Sequence, residues 1–166
     1  MSGHDLSGIR YSAEHSHKKD RIAIIVSKWN STITEVLKEG AIQCLLEAGV
    51  KDKHIYVHYV PGSYELPSGA NYLLYGKPKL TAVICLGCVI QGETKHFDFI
   101  SDAVAQGIMK VGLTHRKPVI FGVLTPDTLQ QAKDRAGGKY GNKGIEAAVS
   151  CLEMIDLRRE AFNMRS

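Results

Sequence analysis

Four apolar runs constrain this chain more than any other feature: RIAIIVSK at 21–28, HIYVHYV at 54–60, TAVICLG at 81–87 and PVIFGVL at 118–124. Each is nearly continuous in hydrophobic residues, where a half-exposed antiparallel strand would alternate, which agrees with strands of a parallel sheet. The segments between them carry helical spacing. Thr32 to Ala48 places Val36, Leu37, Ile42, Leu45 and Leu46 near one helix face and is closed by Gly49. Further helices are predicted from about Glu65 to Tyr75, His96 to Leu113, Asp127 to Ala136 and Ile145 to Arg159. Strict alternation of strand and helix implies a parallel sheet covered on both faces: a single α/β domain of three layers around four strands.

At 166 residues and 44% hydrophobic content, the chain can bury one substantial core. Residues 1–20 are polar, contain His4, His15 and His17, show little periodicity beyond Leu6 and Ile9, and read as an N-terminal arm; the domain is expected over 21–166. No apolar run approaches the roughly 20 residues of a membrane span, and no secretory h-region is present, so the cytoplasm is the expected location. The formal charge of +4 is modest and its cations are scattered, apart from His17, Lys18, Lys19 and Arg21. That is not a nucleic-acid footprint, although a mildly basic surface attracts phosphorylated metabolites. Cys44, Cys85, Cys88 and Cys151 fall in apolar-periodic segments and are expected in the core. Cys85 and Cys88, three apart on a strand, should point to opposite faces, which disfavours a redox or zinc pair.

In open parallel sheets, ligands bind at the carboxyl ends of the strands. There the sequence collects Trp29 and Asn30, then Gly62 to Glu65, then Gly87 to His96, then Phe121 to Thr125. Leu86 to Phe97, LGCVIQGETKHF, is the richest of these segments: glycines that let a ligand approach the main chain, helix-start amides that can face an anion, and an imidazole. Trp29 either caps the core or offers a flat stacking surface. Glu65 either complements a helix dipole or accepts bonds from ligand hydroxyls. His96 is either structural or a proton carrier, with Asp98 either holding its tautomer or capping the helix. His54 and His58, four apart on a strand, lie too far apart for one ion, and no metal site is expected. RAGGKYGNKG at 135–144 fails the Walker pattern, and no G-x-G-x-x-G follows the first strand, so nucleotide hydrolysis and dinucleotide binding are disfavoured. Arg135 and Lys143 remain as cations that either hold a phosphate or are simply solvated.

Taken together, VSKWN at 26–30, VPGSYELP at 60–67, GCVIQGETKHFDF at 87–99, PVIFGVLT at 118–125 and RAGGKYGNKG at 135–144 resemble the lumazine synthase family, in unbroken order from about Arg21 to Leu157. The resemblance implies a flavodoxin-like sheet, which an N-terminal strand from or to a neighbouring subunit could extend. It implies condensation of 5-amino-6-(D-ribitylamino)uracil with 3,4-dihydroxy-2-butanone 4-phosphate, giving 6,7-dimethyl-8-ribityllumazine, phosphate and water in riboflavin biosynthesis, without cofactor or metal.

By the same resemblance Trp29, with Asn30 beside it, stacks on the pyrimidine; Ser63 and Tyr64 contact the ribityl-bearing substrate; Glu65 binds the ribityl chain; and Cys88, Val89 and Ile90 line the ring, largely through main-chain groups. Glu93 and Thr94 match the phosphate site, completed by Arg135 of a neighbouring subunit. Phe121 closes the ring pocket from that neighbour with Lys143 nearby, and His96 matches the proton-transfer residue. Trp29 stands where many family members carry phenylalanine, and its larger ring could hold riboflavin-like molecules. The family assembles as pentamers, some packed as twelve pentamers in an icosahedral shell, and the compact 135–144 loop favours the 60-subunit form, in which riboflavin synthase is a candidate partner. The competing reading is a non-catalytic flavin or lumazine carrier, which needs neither His96 nor Arg135. A flavodoxin-like electron carrier would need a phosphate loop after the first strand, and SKWNST is short and glycine-free.

Overall fold

A computed structural model of the chain describes Tyr11 and residues 15–163. Four strands, β1 (Ile22–Ser27), β2 (Ile55–Val60), β3 (Ala82–Cys88) and β4 (Val119–Leu124), form one parallel sheet in the order β2-β1-β3-β4. Helices α1 (Ser31–Glu47), α2 (Leu66–Gly76), α3 (His96–His115), α4 (Leu129–Asp134) and α5 (Lys143–Asn163) surround it. The expected α/β fold with a four-stranded parallel sheet is the one observed.

Side-chain alternation divides the interior into two cores. Ile22, Ile24 and Val26 of β1 join Ile84 and Leu86 of β3 against Leu37 and Leu45 of α1 and Leu152 and Ile155 of α5. Ala23 and Ile25 join Val83 and Cys85 against Leu66, Ala70 and Leu74 of α2 and Val104 and Ile108 of α3. Cys88 lies in the first core and Cys85 in the second, so the two thiols do face opposite ways. Cys44 departs from expectation: it is only half-buried, packed against the rim of the first core from α1. All four thiols are unpaired.

Element ends follow local chemistry. Gly49 closes α1 with φ of 88°, a left-handed conformation that glycine adopts without a Cβ penalty. The predicted helix at Glu65 begins as a tight 3-10 turn over Ser63–Glu65 and becomes α-helical only at Leu66, with Pro67 tolerated in its first turn. The fourth helical segment is shorter than expected, and the last is longer at both ends. The glycine-rich stretch between them is no open loop. It forms a small antiparallel hairpin, β5 (Ala136–Gly138) with β6 (Gly141–Asn142).

The described residues before β1 pack on α5. His17 is fully buried, its Nδ1 lies 2.7 Å from Asp20 Oδ2, and Arg159 Nη2 donates to both Asp20 oxygens at 2.7 and 2.8 Å. The Tyr11 hydroxyl reaches both His17 and Asp156 of the same network. The expected strand exchange through the N-terminus falls outside the described residues. Among the described residues no helix is long and apolar enough to cross a membrane.

Candidate active site

The sheet order creates a crevice between β1 and β3. The chain leaves β1 towards β2 on one side and leaves β3 towards β4 on the other, so the two turns diverge and open a space at their carboxyl ends. A cavity of about 720 Å³ fills it, lined by Trp29 and Asn30 after β1, Gly62 to Glu65 after β2, Cys88 to Ile90 after β3, and His96 and Ile100 of α3. Nine of the predicted site residues, Trp29, Asn30, Ser63, Tyr64, Glu65, Cys88, Val89, Ile90 and His96, are therefore neighbours around one space. Ile100 was missed: it follows His96 by one helical turn and so shares its face, but its apolar character reads as ordinary core.

Trp29 does not cap the core; it is 72% exposed. Its backbone N–H bonds to Pro61 O at 3.3 Å, and a Cβ on Gly62 would lie 3.4 Å from its Cδ1, so the ring edge rides over the turn after β2. Ser63 is buried, and its hydroxyl has no hydrogen-bond partner within the described chain. That oxygen lies against Gly87, where an added Cβ would come within 2.6 Å of it. Glu65 Oε2 accepts from Gly62 N–H at 2.9 Å and braces the turn, while the half-buried residue lines the cavity.

After β3, the N–H groups of Val89 and Gln91 bond to Leu124 O and Pro126 O at 2.8 and 2.9 Å. Main-chain groups alternate along an extended strand, so those of Cys88 and Ile90 face the β1 side, where the cavity lies. Val89 thus lines the cavity without its N–H to offer. Burial pushes the Cys88 thiol up to about 11, so it contacts the cavity as a neutral, unreactive group.

His96 opens α3 and is solvent-exposed, with its N–H 3.4 Å from Thr94 Oγ1. Asp98 makes no hydrogen bond with it, which removes the tautomer-holding role and leaves a carboxylate in the first turn of a helix. Glu93 and Thr94 sit in the exposed turn leading into α3, and a Cβ added at Gly92 would meet nothing within 4 Å, so the approach to the helix start is open. Twenty residues of helix behind these first amides favour an anion there.

Five predicted residues do not line this cavity: Glu93 and Thr94 in the turn just described, and three that lie farther off in the fold. Phe121, 36% exposed, lines an apolar groove of about 560 Å³ along the outer edge of β4 with Met109, Leu113, Met154 and Leu157. Arg135 and Lys143 both reach the buried Glu146: Arg135 Nη2 is 2.8 Å from Oε1 and Lys143 Nζ 3.0 Å from Oε2. Arg135 Nη1 also donates to Tyr140 O at 2.7 Å, so the hairpin and the first turn of α5 together aim this guanidinium. Among the described residues no group of three His, Cys, Asp or Glu side chains is placed to hold a metal.

The family model described as 6,7-dimethyl-8-ribityllumazine synthase matches residues 19–159, the whole of the sheet and all the residues just placed. The chain belongs to this family. Proteins named 6,7-dimethyl-8-ribityllumazine synthase from Cytophaga hutchinsonii, Porphyromonas gingivalis and Parabacteroides distasonis are 53, 49 and 47% identical to it. The alignments cover 93, 94 and 94% of this chain and 98, 96 and 94% of those proteins. In the setting of the 6,7-dimethyl-8-ribityllumazine synthase family, a cavity built from strand-end turns and one imidazole is the natural place to look for substrate.

Proposed function

We propose that this chain is a transferase that condenses 5-amino-6-(D-ribitylamino)uracil with 3,4-dihydroxy-2-butanone 4-phosphate to 6,7-dimethyl-8-ribityllumazine, phosphate and water, the step before the last in riboflavin biosynthesis. The observation that carries this reading is the single cavity shared by an exposed indole, the turn after β2 and an imidazole beside an open helix start. Trp29 stacks on the pyrimidine, Asn30, Ser63 and Tyr64 shape its seat, Glu65 accepts from the ribityl hydroxyls, and Cys88, Val89 and Ile90 form the wall along the ring. Glu93 and Thr94 flank the phosphate at the start of α3.

The chemistry asks for proton movement. The 5-amino group adds to the ketone and loses water to give an imine, phosphate departs by elimination, and the ribitylamino nitrogen closes the second ring with loss of a further water. His96 carries protons between these positions, and imidazole is the side chain suited to that near neutral pH. Holding two substrates together contributes much of the acceleration in such a condensation, so neither metal nor cofactor is invoked.

Arg135, Lys143 and Phe121 take part from a neighbouring copy in a pentamer. The support is the exposed apolar face along β4, where Met109, Leu113, Met154 and Leu157 are 44–72% exposed, a patch of the kind that marks subunit contacts. Twelve pentamers in a shell, a riboflavin synthase partner, an arm over 1–20 attached to a domain over 21–166, and a cytoplasmic setting belong to the same proposal; four unpaired thiols suit a reducing compartment. The test is to combine purified protein with both substrates and follow lumazine absorbance together with phosphate release against an enzyme-free control. Stoichiometric product and phosphate are expected. Binding of lumazine or riboflavin without either product would overturn the enzymatic reading.

A further inference from the structure

We infer that Asn30 is a positioning residue, setting the Trp29 ring over the wall formed by Cys88 to Ile90 rather than touching substrate through its own amide; this rests on the function proposed above. Asn30 adopts φ 58° and ψ 43°, one of two non-glycine residues in the left-handed region among the described residues. Asparagine tolerates that conformation better than most side chains, but the conformation still carries strain. What holds it is on both sides. Its carbonyl accepts from Ile33 N and Thr34 N at 2.8 and 3.1 Å to start α1, and its Nδ2 donates to Cys88 O at 2.9 Å.

That last bond joins two turns that no strand ladder connects, since the pairing of β1 with β3 ends at Val26 and Leu86. Among the described residues it alone bonds Trp29's turn to the ring wall; the opposite side is held by Lys28 N to Val60 O at 2.9 Å and Trp29 N to Pro61 O at 3.3 Å. Trp29 itself is 72% exposed, so packing does little to orient its ring and the backbone on either side must do so. The left-handed turn directs the chain from Trp29 into α1, and the carboxamide fixes how far that turn stands from the Cys88 carbonyl. A stacking ring and an in-plane reading edge must stand at a fixed separation to grip one flat heterocycle, and Asn30 supplies that separation.

The experiment uses the full chain with Asn30→Asp and Asn30→Gly. The aspartate keeps size and left-handed tolerance but replaces the donor with an oxygen facing the Cys88 carbonyl; the glycine relieves the strain and removes the amide. Both variants should raise KM for the pyrimidine substrate by about 5- to 30-fold, a lost hydrogen bond plus lost orientation, with KM for the phosphorylated ketone and kcat within about 3-fold of the parent. Trp29 is the sole tryptophan, so its steady-state anisotropy reads the ring directly and should fall in both variants without substrate present. Equal increases in both KM values, a loss confined to kcat, parental kinetics, or an unchanged anisotropy would each overturn the role. If the parent itself makes no product, the function above fails, while anisotropy and a fluorescence titration with the pyrimidine still decide whether Asn30 positions the ring.

Discussion

Gly144→Ala should be among the most damaging single-methyl additions to this fold. A Cβ at Gly144 would lie 1.8 Å from the carbonyl oxygen of Leu37 and 2.6 Å from its carbon, both backbone atoms of α1. Ordinary contact begins at 3.4 Å, so the start of α5 would have to move away from α1 by about 1.6 Å. The local bonds resist this: Asn142 Oδ1 accepts from Gly144 N at 2.8 Å while its Nδ2 donates to Val36 O at 3.1 Å, tying the two helices together at this point. Overpacking usually costs about 1–3 kcal/mol and more when no side chain can yield, so about 3–5 kcal/mol is expected here. For a domain of this size that lowers Tm by about 6–20 °C. Thermal unfolding at matched protein concentration is the assay, with two comparisons. Gly76→Ala adds a methyl in open space at the end of α2 and should be neutral or stabilising by up to about 1 kcal/mol. Gly49→Ala also meets nothing within 4 Å but keeps φ of 88°, and should cost about 1 kcal/mol. A Gly144→Ala protein melting within about 2 °C of the parent, or above Gly49→Ala, would refute the steric reasoning.

Under the proposed chemistry, His96→Ala should lower turnover by about 10- to 1000-fold with little change in melting temperature, because the side chain is exposed; unchanged turnover removes its proton-transfer role. Arg135→Ala should chiefly raise KM for the phosphorylated substrate, and an effect confined to the pyrimidine would sink that assignment. The buried thiols predict a pH trend. Burial pushes Cys85 up to about 12 and Cys88 up to about 11 from an ordinary 9.0, so the native state keeps protons that the unfolded chain releases above about pH 9. Stability therefore falls as pH rises through that point, and the fall between pH 8 and 10 in urea titrations should be smaller in Cys85→Ala.

The central strands were legible because a doubly covered parallel sheet leaves so plain a mark: β1 and β3 are buried at every position, and the runs that predicted them are apolar at nearly every position, while the edge strands β2 and β4 are only partly buried. The end of α1 was legible through Gly49 for a conformational reason that needs no tertiary contact. The turns at Trp29, Ser63 and Cys88 could be gathered into one site before any coordinates, because parallel strands bring their carboxyl ends together whatever their sequence separation. What escaped depended on contacts between distant residues. Whether Trp29 caps the core or stands exposed is set by what packs above it, not by its neighbours in sequence. The hairpin at 136–142 is too short and too rich in glycine to show a period, and the pairing of Arg135 with Glu146 exists only because that hairpin folds back on α5. Asn30 looked like one more polar residue at a strand end; its left-handed backbone and its bond to Cys88 separate it from a simple contact.

The arrangement of cations bears on how many copies the proposed reaction needs. Within one chain Arg135 and Lys143 converge on Glu146, and neither lines the cavity that holds Trp29 and His96. If a neighbour supplies them, the site is assembled across a heterologous interface, in which one subunit contributes His96 and the next contributes Arg135. At phosphorylated-substrate concentrations well below the KM of Arg135→Ala, where both variants are slow, the two then complement each other. In a ring reassembled from equal amounts of His96→Ala and Arg135→Ala protein, half of the sites draw an intact imidazole from one side. Half of those draw an intact guanidinium from the other, so about a quarter of the sites are whole. Co-unfolding and refolding the mixture should therefore restore about a quarter of the parental rate, well above the mean of the two variants refolded separately. A site completed within one chain predicts no recovery at all, because every copy would then lack one of the two groups. Recovery near a quarter would thus assign Arg135 to the neighbour's site, and a mixture no better than its components would return it to a structural role beside Glu146.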